Sequence, residues 1–411
     1  MDSLTQIVLG AAVGEAVLGR KVGNRAMLWG AIGGTIPDLD VFANLTTDTM
    51  SALAYHRAFT HSLAFGFLAP AILGLVVHRL YGGNDKLPCK LSKPIEIVLA
   101  FVAFYVLLTV GSYLMPIEIL GIPKIAAIIT IVVAGLSGIV FLGQKLRRTQ
   151  STNEIGSFRG WTLLFFGAII THPLLDCFTA YGTQILQPFT DHRATWNTIS
   201  VADPLYTLPF LLLLILAARK LRGSKSRKQL NYAGLMVSST YLILTIFNHF
   251  NVAEVIKSSI TAQEVPARRY LISPSILNNI LWTGTVQGPK DQYYFSRYSL
   301  LDKQRAFEPF QPIDGRHDLL ANFQDTRELE ILNWFTKGYI GYMPLDSGRV
   351  QVNDLRYGVF GGDAEDPNQY IFHWIVDTTT LPLRIYQEAG PSEDVDMGEM
   401  FGGLWTRLKG I

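Results

Sequence analysis

Cysteine is scarce in this 411-residue chain, which has two, Cys89 and Cys177. That excludes a disulfide framework and a thiolate-built zinc site, and leaves two unpaired structural thiols as the simplest reading. Charge is scarce as well: 17% of residues are Asp, Glu, Lys or Arg, against roughly 25% in an ordinary soluble domain. The formal net charge is +2 and no basic tract runs through the sequence, so the electrostatic footprint of a nucleic-acid binder is missing. The start lacks a basic segment ahead of its apolar stretch. No cleavable signal peptide is expected, and targeting falls to membrane-spanning segments. Internal repeats and low-complexity tracts are also missing.

What is present divides in two. Residues 1–250 carry long apolar runs, while residues 251–411 read like a soluble domain. A spanning helix takes about 20 mostly apolar residues. Residues 63–81, 95–114, 119–142 and 232–250 qualify, 205–218 is short but strongly apolar, and 161–181 is apolar around His172 and Asp176. Residues 4–18 and 26–36 are short and rich in Gly and Ala, which suits inner helices packed backbone to backbone. The expected fold is an all-α polytopic membrane helical bundle of about 7–8 helices, followed by a soluble α+β domain. In that domain residues 293–298 and 370–376 are β-prone, and residues 325–335 place Leu329, Leu332 and Phe335 on one helical face. Gly361-Gly362 and Gly402-Gly403 read as turns.

Lysine and arginine set the orientation. One set of connections between the apolar segments holds seventeen of them and the alternate set holds three. The basic side is expected to be cytoplasmic. Residues 37–61, residues 184–203 and the C-terminal domain then lie outside, with the chain in the inner (cytoplasmic) membrane.

Four polar clusters interrupt the apolar sequence. Pro37-Asp38-Leu39-Asp40 sets two carboxylates in one turn, where they converge on a cation or simply end a helix in solvent. His56-Arg57-Ala58-Phe59-Thr60-His61-Ser62 flanks an arginine with imidazoles, with Thr60 or Ser62 as the cap of the helix that follows. His172 and Asp176, at i and i+4, share one helix face inside an apolar segment, where ionisable groups are costly and their default reading is functional. Asp191-His192-Arg193 with Asp203 forms the fourth, an external loop whose Asp203 is a further ligand or a cap. All four fall on the outer side by a topology derived from basic residues alone. Imidazoles and carboxylates without thiolate suit zinc, manganese or iron. Such an ion activates water for hydrolysis, and neighbouring arginines stabilise a phosphoryl transition state.

At these residues, with Thr179-Ala180-Tyr181-Gly182, the sequence resembles the YdjM-type family of membrane-bound, metal-dependent hydrolases, over roughly residues 1–215. That family is similar in turn to the zinc-dependent phospholipase C and single-strand nuclease superfamily. The resemblance implies a helical metal centre acting on phosphoesters. It gives ligand roles to Asp38, Asp40, His61, His172 and Asp176, with His56 an added ligand or general acid/base. One departure stands out: the family often begins with a Thr-His pair, where this chain has Thr5-Gln6.

The reading that follows is a divalent-metal hydrolase, zinc foremost, in contact with the lipid bilayer and acting on a phospholipid or lipid-linked phosphate. Arg57 and Arg193 would hold the phosphate. Two rivals stay open: a metal-ion transporter, which asks for polar groups along the whole bundle depth, and a sensor with a structural metal.

Overall fold

Small residues begin the architecture. In the computed structural model, which describes residues 1–45, 47–81, 156–346, 348–359, 365–380, 382–389 and 397–411, helix α1 (Ser3–Gly14) crosses helix α2 (Asn24–Thr35) at glycines. A Cβ on Gly10 would lie 2.3 Å from the Gly30 carbonyl oxygen, and one on Gly30 would lie 2.3 Å from that of Gly10. Only glycine permits that approach, as the Gly/Ala-rich sequence implied. A 3-10 segment, Ile36–Leu45, follows α2, then helix α3 (Thr49–Tyr55).

Helix α4 (Leu63–Leu80) is capped by Ser62, whose Oγ accepts from the Phe65 N–H. Helix α5 (Phe158–Asp176) packs along α4 and against α1 and α2. Helix α6 (Pro204–Ala218) starts at Asp203, whose carboxylate accepts from the Leu205 N–H, so Asp203 is a cap. Helix α7 (Lys225–Ala262) packs along α6. Among the described residues α4, α5 and α7 are three helices long and apolar enough to cross a membrane, and α6 is a shorter apolar one. Leu208, Leu212, Met236, Leu244 and Phe247 are exposed on α6 and α7, as a lipid-facing surface requires. Two of the expected 7–8 helices, residues 95–114 and 119–142, lie outside the described residues, as do Cys89 and Gly361-Gly362.

The expected boundary at residue 250 falls inside α7. Its last turns, through Val252, Val255 and Ile256, pack on Ile272, Trp282 and Val286 of an antiparallel sheet. That sheet is a meander of β1 (Arg269–Pro274), β2 (Leu281–Gln287), β3 (Gln292–Ser299) and β4 (Gln311–Asp314), with Ile272 opposite Gly284 and Thr285 opposite Phe295. A second meander holds β5 (Ile340–Pro344), β6 (Arg349–Asp354), β7 (Phe372–Asp377) and β8 (Arg384–Ala389). Helix α8 (Arg327–Thr336) covers it with Leu329, Leu332 and Phe335, and Met50 and Leu53 of α3 join the same core. The two halves of the chain therefore share buried surface. Gly402-Gly403 is not a turn but part of helix α9 (Met397–Leu408). Neither glycine meets a neighbour, and Arg407 pins the helix end to Asp302 at 2.7 Å and 2.8 Å.

Candidate metal centre

Three elements bring four donors to a common point. Asp38 comes from the 3-10 segment, His61 from the turn before α4, and His172 and Asp176 from the last turns of α5. One atom of each lies within 4.8 Å of all the others. His61, His172 and Asp176 are fully buried, while the Asp38 side chain is 19% exposed.

Hydrogen bonding fixes which ring nitrogens face inward. The Gly34 carbonyl, 2.5 Å from His172 Nδ1, can only accept, so Nδ1 carries the proton and a neutral ring leaves Nε2 bare. Asp40 Oδ2, 3.1 Å from His61 Nδ1, does the same for His61. The two Nε2 atoms then face each other at 3.1 Å. Each lies 3.3 Å from Asp38 Oδ1 and 3.4 Å from Asp176 Oδ2. Asp176 Oδ2 is buried and accepts no hydrogen bond.

Four atoms that can each offer a lone pair converge on one point, an arrangement that a divalent ion can occupy once His61 gives up its proton. Zinc bound at about 2.0–2.1 Å in a tetrahedron sets its donors about 3.3 Å apart, which is the spacing found. The donor set therefore fits a divalent metal. The same convergence governs protonation in the metal-free protein. Burial alone would raise the Asp38 carboxyl, but His172 and His61 hold it well below its ordinary range. Burial opposes a charge on His61, but Asp176, Asp38 and Asp40 together push it up to about 10.

The remaining predicted residues surround this set without entering it. Asp40 stands behind His61 instead of beside Asp38. It accepts from the Arg57 N–H at 2.7 Å, contacts His56 Nδ1 at 2.8 Å and accepts from Thr60 Oγ1 at 3.1 Å. His56 therefore reaches the centre only through Asp40. Arg57 is buried, with φ at +59°, a left-handed conformation that costs a non-glycine residue energy. Asp40 and the Gln184 N–H, which donates to the Arg57 carbonyl at 2.9 Å, hold it there. Its Nε lies 3.5 Å from Asp176 Oδ2, Nη1 donates to Thr179 Oγ1 at 3.3 Å, and the guanidinium lies 4.7 Å from the Tyr181 ring centre.

Arg193 is not brought to the centre. It is buried among Phe335, Tyr181 and Trp334, at 4.6 Å, 5.0 Å and 5.1 Å from the ring centres, and donates through Nη2 to the carbonyls of Tyr181 and Gly182. His192 and Asp191 lie exposed in the same loop. Gln6, the residue that departs from the Thr-His pair, donates to Asp176 Oδ1 at 3.1 Å and to the His172 carbonyl at 3.3 Å. Its amide steadies a ligand, and its own buried oxygen makes no hydrogen bond. The Met1 amino group also bonds to Asp176 Oδ1. Sequence reasoning missed both of these contacts, and a lone amide opening an apolar helix was the one available signal.

A groove of about 630 Å³ begins beside the centre at Asp40 and Thr60 and runs between the loop around Gln187 and helix α8. No curated protein and no solved structure matches the chain. Residues 1–252 match the family described as YdjM inner membrane protein, and they contain every residue of this centre. The chain belongs to the YdjM inner membrane protein family.

Proposed function

We propose that the chain is a metal-dependent hydrolase of a phosphoester carried on a membrane lipid or lipid-linked substrate, working at the outer face of the inner membrane. The observation that carries this reading is the set of bare donors from Asp38, His61, His172 and Asp176 with the Arg57 guanidinium 3.5 Å from one of them. A divalent ion held by these four would supply Lewis acidity for attack on phosphorus. Arg57 offers a forked cation for the non-bridging oxygens. His56, tied by Nδ1 to Asp40 and 30% exposed, keeps Nε2 as the atom that takes or gives a proton. Asp40 orients both imidazoles. The outer location rests on the charge bias of the connections, and reporter fusions after Lys228 and after Gln263 should report opposite sides.

One observation favours a second reading, a sensor with a structural metal: four protein donors are the number that closes a structural zinc site. Elemental analysis and a phosphodiesterase screen, each with and without chelator, separate the two. Metal-dependent turnover is expected. Stoichiometric metal with no turnover on any phosphodiester would establish the sensor reading instead.

A further inference from the structure

The groove beside the metal centre has a composition that selects its occupant. Its walls carry Asp191 and Glu330, two amide side chains, and the rings of Tyr55, Phe59 and Trp334, with no lysine or arginine among the lining residues. Phosphate is repelled by such walls, while an amine is attracted to them, by the carboxylates and by the faces of the aromatic rings. The inner end, by contrast, meets Asp40 and Thr60, one imidazole away from the four donors and close to Arg57. With a divalent ion held by the four donors beside Arg57, a molecule filling the groove would place an anion inward, near that ion, and a cation outward.

Its position adds the third property. The groove lies where span α4 begins, since the Leu63 N–H donates to the Ile185 carbonyl in the loop that forms one wall. Around its mouth Phe59 is 45% exposed, Leu186 48% and Phe189 90%. Aromatic and aliphatic side chains exposed at the end of a span belong to the lipid interface.

We infer that the groove takes the headgroup of a membrane phospholipid bearing an amine, admitted sideways from the leaflet, and that Asp191 of the membrane half and Glu330 of the C-terminal domain select it over anionic headgroups. The inference rests on the phosphoester reading above for what happens after binding, but not for binding itself. It gives the C-terminal domain a part in choosing substrate, because Glu330 and Trp334 sit on its helix α8.

The test measures binding of short-chain phosphatidylethanolamine and phosphatidylglycerol, both as non-hydrolysable phosphonate analogues, and of free phosphoethanolamine to the zinc-loaded full chain in detergent by calorimetry. A water-soluble phosphodiester is assayed separately on metal-loaded protein. The ethanolamine lipid should bind at least tenfold more tightly than either of the others. Combining Asp191→Asn with Glu330→Gln, both on exposed side chains, should weaken it by roughly fivefold per carboxylate, the upper range for solvent-exposed pairs, and leave turnover of the soluble diester unchanged. Equal binding of the two lipids, or an unaffected double variant, would overturn the selection. Free phosphoethanolamine binding as tightly as the lipid would overturn the membrane source. Selective lipid binding with no turnover of the soluble diester would instead sink the hydrolase reading and leave this one standing.

Discussion

At the scale of single residues, His61 decides how the centre answers to pH. In the metal-free protein the surrounding carboxylates push it up to about 10, from 6.5. A ligand must shed its proton before it binds metal. Zinc affinity should therefore rise about tenfold per pH unit between pH 7 and 9, with one proton released per ion, as calorimetry in buffers of different ionisation enthalpy would register. The sign for stability is the reverse. The protonated imidazole stabilises the metal-free fold fully below about pH 6.5, and that stabilisation is lost as pH rises through 10. A flat affinity profile would mean that His61 is not a ligand. Arg57 admits a sharper substitution. Arg57→Lys keeps the charge beside Asp176 but loses the fork, so metal content should persist while turnover falls roughly 100- to 1,000-fold. Wild-type turnover in that variant would reduce Arg57 to a structural cation. The motifs in the sequence named these residues because ionisable groups in apolar sequence are conspicuous. They did not separate Asp38 from Asp40, since two carboxylates in one turn are equivalent until the fold decides which imidazole nitrogen each faces.

Among the elements, the crossing of α1 and α2 controls the centre from a distance. Gly30→Ala would drive a methyl group into the Gly10 carbonyl, a backbone atom that cannot swing aside. The helices must part, at a cost of about 1–3 kcal/mol. The same pair carries the Gly34 carbonyl that holds His172 and the Gln6 amide that holds Asp176. Gly30→Ala should thus lower both the unfolding midpoint and the bound metal. Gly402→Ala, in a helix with open space around it, should do neither and should gain up to about 1 kcal/mol from helix propensity. Equal effects of the two would remove the close crossing as the cause. The packed nature of α1 and α2 was legible, because runs of Gly and Ala have few other uses in an apolar segment. The ion pair at the opposite end was not. Glu15 meets Arg227 through two bonds of 2.6 Å and 2.5 Å, both residues buried. A partner 212 positions away leaves no local signature. The helix through Gly402-Gly403 escaped for the same reason, being held by Arg407 on distant carboxylates.

For the whole molecule, the question is how the C-terminal domain is fastened to the membrane half, and Arg193 is the place to ask it. The sequence offered Arg193 as a second phosphate holder because it follows His192 on the expected outer side. Side and exposure are different properties, however, and a loop position does not announce that aromatic rings far along the chain, Trp334 and Phe335, will close over it. In the structure Phe335 and Trp334 of the C-terminal domain cover the guanidinium from one half, and Tyr181 covers it from the other. Arg356 reaches across to the Ala180 carbonyl at 3.3 Å, and Lys337 to Thr195 Oγ1 at 2.6 Å. Three cations thus bind the loop after α5 to the domain beyond α7. Removing Arg193 would leave two carbonyls without a charged donor and three rings around a void. A desolvated cation on aromatic faces contributes about 2 kcal/mol and hydrogen bonds to a charged group about 1.5–3 kcal/mol. These terms overlap, so about 3 kcal/mol is the expected loss for Arg193→Ala. The variant should unfold at lower temperature and expose residues 177–203 to protease, with the metal still bound by donors that Arg193 does not touch. A phosphate-holding arginine predicts the opposite pattern, an unchanged midpoint with a raised KM. Measuring midpoint, cleavage and KM on one preparation decides between fastening and substrate binding, and an unaltered midpoint would return Arg193 to the active site.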